Sequence, residues 1–447
     1  MSSFTVEPEV PQLPLGSGVG GSAIALTAPF SEIWSEEGIF AKFLLSLSFF
    51  LPHISGGEYV EYGRKVADFL SETLEIKRQL HSFYDIRKHP TISLTTILCS
   101  VFLMPFFSLK SLLALDSLVR SNRYKKLFDC KRKMVVSDTT IARVLRWVIP
   151  DQPKMLLLNL VSHFDRLGLL EKALEPGSVP RRIGIIDGSV MGGHHHVTFS
   201  LHGSINCPVF IEDQQKRGKE LPIALDLIDE AHRYLGECFP DLILADSLYF
   251  NTSTFTHVRS NGAHLLIKGS NPEFRSVLQD AQFLFTHDVV EGVETDSGFD
   301  YVRFCHWSMK KTSGDFAGYP IQIAHLVEDY PKRTKNAHCE CWIVSTDLSL
   351  SSSSLREAAH LRWHIENNVF KRISHLAGTK RFYFKDPRRF YSMLRLFCAA
   401  LAAFDAYICI MRNSEREFKR FLDGAKHTWE NIFLKLQDQL EAGAFCW

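Results

Sequence analysis

Apolar residues recur at every third or fourth position through the first part of the chain, a spacing typical of amphipathic helices. The pattern is clear in strings such as LLSLSFFL, VADFLSETLEI and LLLNLVSHFDRLGLL. Ser137 is placed to cap a helix whose apolar face carries Ile141 and Val144. We therefore predict an all-α N-terminal domain over residues 41–175.

Segments rich in Gly, Ser and Pro bound this helical region on both sides. The string LPLGSGVGGSAIALTAP lies near the start of the chain, and we interpret residues 1–40 as a mobile tail. At the other end, EPGSVPRR (175–182) interrupts the helical periodicity. It marks the start of a second domain over residues 176–447.

Short apolar runs alternate with helical stretches at the start of the second domain. IGII (183–186) and LILA (242–245) each end at an Asp, and HVTFSLHG (196–203) alternates like a strand. AHLLIKG (263–269) is a further apolar run, and a helical stretch covers 220–235. Strands interleaved with helices predict an α/β sheet.

Residues from about 271 to 347 have a mostly β pattern within this second domain. The strings VRFCHWSM, IQIAHLV and CWIVST are strand-like, and we interpret them as a β-rich insertion into the α/β domain. Helical periodicity returns over 355–447. The capping-box pattern SLRE predicts a helix from Ser354 to about Leu376, and Gly378 is a natural stop.

The composition is that of a soluble globular protein, with 45% hydrophobic and 23% charged residues among 447. Its formal net charge is only +1, so any nucleic-acid binding has to rest on local basic clusters. Two apolar stretches, 91–107 and 393–411, resemble membrane spans. We interpret them as buried core helices, because the first is short and the second carries Arg395 and Asp405.

The cysteine and histidine positions favour reduced thiols over disulfides or zinc sites. The ten cysteines include no C-x-x-C pair, and no Lys or Arg precedes Lys42, so we expect a cytoplasmic protein without a signal peptide. The histidine run 194–196 with Cys207, and Cys339 with Cys341, lack the usual spacing of structural zinc ligands.

Three carboxylates are candidates for catalysis. Asp187 and Asp246 each follow an apolar run, and a charge at the end of a buried strand is unfavourable unless it is paired or binds a metal. Sites in open α/β sheets gather at the carboxyl ends of strands. Glu366 lies within a predicted helix. Three such side chains can hold two Mg²⁺ ions, which prefer oxygen ligands and support phosphoryl transfer.

Structural roles remain open for the same residues. Asp187 could cap a turn through the residue after it, and Asp246 could cap the following helix. Glu366 could pair with Arg362, four residues earlier. Glu220 opens the helical stretch 220–235, where the helix dipole favours an acid in the first turn.

The motifs around the three carboxylates resemble those of the DDE transposases of bacterial insertion sequences. They are IIDG at Asp187, ADSLY at Asp246 and RWHIENNVFK at Glu366. The resemblance implies an RNase H-like catalytic core and a DDE triad holding two Mg²⁺ ions, for which Mn²⁺ can substitute. It also implies an enzyme that cleaves element ends and joins the 3′-hydroxyl to target DNA.

The resemblance is to the subgroup with a β-strand insertion between the second Asp and the Glu, here 120 positions apart. The signature of that subgroup is Tyr, two residues, Arg, three residues, Glu, six residues and Lys. Arg362 and Glu366 match it, whereas Ala359 and Ile373 occupy the Tyr and Lys positions. The resemblance covers about 183–404.

Two basic clusters are candidate DNA contacts, with a solvated helix face as the alternative. The first contains Arg123, Lys125, Lys126, Lys131 and Arg132. The second contains Lys371, Arg372, Lys380, Arg381, Arg388 and Arg389. The resemblance adds Tyr249 and Arg362 to the expected DNA contacts.

The expected partners are double-stranded DNA and a second copy of the chain, since bringing two element ends together implies a homodimer; no membrane is expected. Two alternatives stay open. The chain could be a nuclease that lacks strand transfer, or a degenerate relative that binds DNA without cleaving it.

Overall fold

The computed structural model of the protein describes residues 65–120, 136–174, 181–214, 219–269, 292–297, 302–310, 321–329, 338–346, 350–380 and 383–414. The predicted tail over 1–40 lies outside these residues.

The described residues before the sheet form helices, as the apolar periodicity predicts. They are α1 Ile76–His81, α2 Leu94–Leu103, α3 Leu112–Arg120, α4 Asp138–Leu145 and α5 Asp151–Arg166, with a π-helical turn at Phe69–Thr73 and a 3-10 turn at Pro105–Phe107. Ser137 Oγ accepts the backbone N–H of Thr140 at 3.2 Å and caps α4, and Ile141 and Val144 are buried. The predicted cap and apolar face of α4 are therefore confirmed.

A mixed sheet forms the centre of the second region. The described strands are β1 Glu171–Lys172, β2 Arg181–Met191, β3 His194–His202, β4 Asn206–Asp213, β5 Leu242–Asp246, β6 His264–Gly269, β7 Gly292–Ser297, β8 Val302–Lys310, β9 Ile321–Asp329 and β10 His338–Thr346. Their order is β4-β3-β2-β5-β6-β10-β9-β8-β7, and β1 pairs with β2. β2, β5 and β6 run parallel, and the other pairs are antiparallel.

The strands predicted as an insertion extend this same sheet. β10 pairs with β6, so β7 to β10 continue the central layer beyond the parallel strands. The inner strands are buried apolar runs because helices α6 Glu220–Leu235 and α7 Thr252–Ser260 connect them. The prediction of a mixed α/β fold is confirmed.

The helical segment that carries Glu366 differs from the prediction at its start and in its regularity. The cap is Ser351, whose Oγ accepts the N–H of Ser354 at 3.1 Å, so the prediction of Ser354 as the cap was wrong. The segment comprises α8 Ser352–Leu361, a π-helix at Ile365–Phe370 and α9 Lys371–Ala377. It ends at Gly378, which has a φ of 66°.

The last described helix, α10 Pro387–Ser414, joins the two regions. It packs on β4 and on the helices α2, α4 and α5, so one continuous apolar core covers both regions. α10 is long and apolar enough to cross a membrane, but 89% of its apolar window is buried inside the protein. The interpretation of the stretch 393–411 as a core helix is confirmed by this burial.

Candidate active site

The strand register brings Asp187 and Asp246 together. β2 and β5 are parallel neighbours in which Ile185 lies opposite Leu244. Two residues further along these strands come Asp187 and Asp246, near enough for the charge of Asp246 to act on Asp187. Asp246 ends β5 as predicted, whereas β2 continues past Asp187 to Met191, so Asp187 lies within the strand and caps no turn.

The Asp187 carboxyl is buried in an acidic neighbourhood. Only 9% of the residue is exposed, and burial raises its pKa from 3.8 to about 7. Arg362 opposes this shift, with Nη1 at 3.4 Å from Oδ2 of Asp187. The negative charges of Asp246, Glu220 and Glu366 raise the pKa further. The site therefore favours additional positive charge near Asp187.

Asp246 also has a local structural role. Its Oδ1 accepts the backbone N–H of Leu248 at 2.9 Å and caps the 3-10 turn Ser247–Tyr249. The capping interpretation of Asp246 is thus confirmed.

Glu366 approaches these two residues from the π-helix Ile365–Phe370. A π-helical turn brings residues five apart onto one face, and Glu366 Oε1 lies 3.3 Å from Nζ of Lys371. The predicted alternative, a pair between Arg362 and Glu366, is wrong, because Arg362 turns to Asp187 instead. The Glu366 side chain is about half exposed, so its carboxylate is accessible from the surface.

Glu220 is a fourth carboxylate at this place. It is the first residue of α6, so the prediction of an acid in the first turn of this helix is confirmed. Its negative charge acts on Asp187. Burial raises its pKa, while hydrogen bonds from Tyr249 and the backbone of Gly188 lower it. Glu220 lies outside the triad predicted from the sequence, although the glycine after Asp187 was a signal that another group packs closely there.

The donor set fits hard divalent cations. All four carboxylates offer oxygen ligands, which Mg²⁺ and Mn²⁺ prefer. A Cβ at Gly188 would lie 2.3 Å from Cδ of Glu220, so the missing side chain makes the room that the carboxylate occupies. Within the described residues, no three such side chains already surround one point. Instead Arg362 and Lys371 hold Asp187 and Glu366.

The structure corrects two of the predicted DNA contacts. Tyr249 is fully buried, and its Oη donates to Oε1 of Glu220 at 2.9 Å. Arg372 is 2% exposed, and its Nη1 lies 2.6 Å from Oδ1 of Asp405. Neither side chain has a surface to offer to a phosphate.

Of the other predicted DNA contacts, Arg362 pairs with Asp187, and the rest fall into two groups. Lys371, Lys380 and Arg388 are exposed, and Arg389 pairs with Asp386 at 3.3 Å. The following lie outside the described residues: Arg381, Arg123, Lys125, Lys126, Lys131 and Arg132.

Comparison with known proteins agrees with this geometry. Residues 180–402, about half of the chain, match the family model of the transposase DDE domain. The match spans Asp187, Asp246 and Glu366. A search of the curated proteins found no match to the chain. The family inferred from the motifs is confirmed, and the chain belongs to the DDE transposases.

Proposed function

We propose that the protein cleaves DNA at the ends of a mobile element and joins the freed 3′-hydroxyl to target DNA. The observation that carries the proposal is that Asp187 and Asp246 lie on neighbouring parallel strands, and that Asp246 and Glu366 are both near enough for their charges to act on Asp187. An RNase H-like core is part of the proposal, and the strand order β4-β3-β2-β5-β6 supports it.

Each residue of the site has a part in the proposed reaction. Asp187, Asp246 and Glu366 would hold two Mg²⁺ ions, or Mn²⁺ in their place, which would supply activation of the attacking oxygen and stabilisation of the leaving one. Arg362 would orient Asp187, since its Nη1 lies 3.4 Å from Oδ2 of that residue. Water would attack the phosphodiester at the element end, and the 3′-hydroxyl released would attack a second phosphodiester.

The triad is tested by charge-removing variants. Asp187→Asn, Asp246→Asn and Glu366→Gln should each lower Mg²⁺-dependent cleavage by at least about a thousandfold. The assay uses DNA that carries the sequences flanking the gene. Asp226→Asn is the matched control, because Asp226 is an exposed acid on α6. Cleavage by any of the three variants at the wild-type rate would contradict the assignment.

Two rivals are separated by further arms of the same assay. A nuclease without strand transfer would cut the flanking DNA and leave supplied target plasmid unjoined. A non-catalytic relative would bind DNA equally well with EDTA and never cut it. Joined product from wild type, absent with Asp187→Asn, supports the transposase.

The proposal includes double-stranded DNA and a homodimer as partners, and the cytoplasm as the location. It also gives the helical region a role in binding element ends. A cleft there has basic residues and an exposed indole, and its lining includes Arg87, Lys88, His89, Arg143 and Trp147. Positive charge beside an aromatic ring suits contact with a phosphate backbone.

A further inference from the structure

We propose that Glu220 binds the divalent cation of this site together with Asp187 and Asp246, and that Tyr249 is the residue that positions it. The inference rests on the proposed function, because it needs a metal at the carboxylates. It adds a ligand that lies outside the expected triad and comes from a different element, the start of α6.

The contact between Glu220 and the strand of Asp187 is close. An ideal Cβ on Gly188 would lie 2.3 Å from Cδ of Glu220 and 2.4 and 2.5 Å from its two oxygens. Real Cβ atoms do not approach so near, so a side chain at position 188 would force the Glu220 carboxylate to move away. Because position 188 is a glycine, the carboxylate of Glu220 can lie against β2 directly after Asp187.

Tyr249 links the same carboxylate to Asp246. Its ring is fully buried, and its Oη donates to Oε1 of Glu220 at 2.9 Å. Tyr249 ends the 3-10 turn that Asp246 caps, so one turn fixes both acids. The backbone N–H of Gly188 also donates to Glu220. Two donors from the elements that carry the two Asp residues therefore fix the direction of the Glu220 side chain.

The charge balance favours a cation over a purely structural role. Arg362 pairs with Asp187 and Lys371 with Glu366, whereas within the described ranges no Lys or Arg forms an ion pair with Glu220. A buried phenol needs only an acceptor, which a neutral Gln would provide as well. A negative charge placed beside two others is unfavourable unless a cation joins them.

The experiment is a titration of the full chain, without DNA, with Mn²⁺ followed by electron paramagnetic resonance of the free ion. Glu220→Gln keeps the acceptor for Tyr249 and removes the charge, so its Kd for Mn²⁺ should rise about tenfold or more. Tyr249→Phe should raise the Kd less, by roughly threefold, since the ligand remains but is no longer oriented. Asp226→Asn should bind Mn²⁺ like wild type.

Thermal unfolding in EDTA separates metal binding from folding. Glu220→Gln should melt no lower than wild type, because it removes repulsion between carboxylates. If it melts lower, Glu220→Asp decides: recovered Mn²⁺ binding supports the proposal, and binding as weak as in Glu220→Gln overturns it.

Asp187→Asn separates a failure of the Glu220 proposal from a failure of the proposed function. If it loses Mn²⁺ binding while Glu220→Gln binds like wild type, Glu220 is not a ligand and the proposed function stands. If neither variant changes the Kd, the carboxylates hold no metal, and both proposals fail.

Discussion

Asp187 is the residue whose chemistry depends most on its surroundings. Its apolar strand removes water from the carboxyl, and nearby acids add repulsion that Arg362 offsets in part. The same neighbours that hinder ionisation in the metal-free protein would make a divalent cation favourable. Two predictions at the residue scale follow from this crowding.

The first concerns pH. The folded pKa of Asp187 is about 7, above its usual 3.8, so between these values the folded state holds a proton that the unfolded state releases. The stabilising effect of that proton is complete below pH 3.8 and is lost as pH rises through 7. Metal-free protein should therefore lose stability from pH 5 to pH 8, by at most about 3 kcal/mol, because pH 5 already lies between the unfolded and the folded pKa.

Urea unfolding in EDTA at the two pH values measures this loss. Asp187→Asn should remove most of it, and Asp226→Asn should leave it intact. An Asp187→Asn variant that loses as much stability as wild type would show that the carboxyl ionises normally.

The second prediction concerns Gly188. Gly188→Ala places a methyl group on the Glu220 carboxylate, which has to turn away and give up the hydrogen bond from the buried Tyr249, so the protein should lose about 1–3 kcal/mol of stability. In a Glu220→Ala background the same change should be nearly neutral, because the overlapping atoms are absent. Urea unfolding of the four proteins in this cycle gives the coupling free energy. Equal destabilisation in both backgrounds would contradict the close contact.

At the scale of elements, the segment from α8 to α9 decides which basic residues can meet DNA. Its π-helix shifts the register after Glu366, so Lys371 faces Glu366 and Arg372 turns into the core. A regular helix would have distributed these side chains differently. The basic cluster predicted from the sequence is therefore divided between the surface and the interior.

This division predicts opposite behaviour for two arginines. Arg372→Met leaves Asp405 buried without its cation, so the free energy of unfolding should fall by about 3–5 kcal/mol. Arg388→Met, at the exposed start of α10, should leave stability unchanged and weaken DNA binding at low salt. Urea unfolding and binding to duplex DNA at several salt concentrations measure both effects.

The pair Arg372→Met with Asp405→Leu serves as the check. Replacing both charges should restore much of the lost stability, because no buried charge remains unpaired. If Arg372→Met folds normally and instead loses DNA affinity, the arginine reaches the surface, and the structural interpretation is wrong.

At the scale of the whole molecule, α10 connects the helical region to the sheet. Phe404 of α10 meets Phe106 in an edge-to-face contact with ring centroids 5.4 Å apart. α10 also packs on β4, so this one helix contacts both the helical region and the sheet. The boundary predicted near residue 175 separates two patterns of sequence, and the apolar core extends across it.

We therefore expect the two regions to unfold together. Phe404→Ala should lower the free energy of unfolding by about 3–5 kcal/mol. The free energy measured by hydrogen exchange should fall by the same amount in α2 and in β5. Hydrogen exchange of peptides from both elements, measured across a urea series, tests this. Leu113→Ala, at an exposed position of α3, is the control. Exchange of α2 at low urea while β5 stays protected would mean that the regions unfold independently.

The sequence alone was sufficient for the element types and the family, and it singled out the two Asp residues as candidates. Apolar periodicity is a local property, so it predicted α4, α6 and the short buried strands directly. Asp187 and Asp246 were visible because each follows an apolar run, where an unpaired charge is unfavourable. The motifs around them then identified the family that residues 180–402 match.

Tertiary structure decided which side chains meet. Glu220 joins the site because parallel pairing of β2 and β5 places the start of α6 beside Gly188, a contact between residues 32 positions apart. Arg372 was predicted as a DNA contact from a basic cluster and Tyr249 from the family resemblance, whereas the burial of both side chains depends on distant partners. Those partners, Asp405 and Glu220, are brought close only by the packing of helices against the sheet.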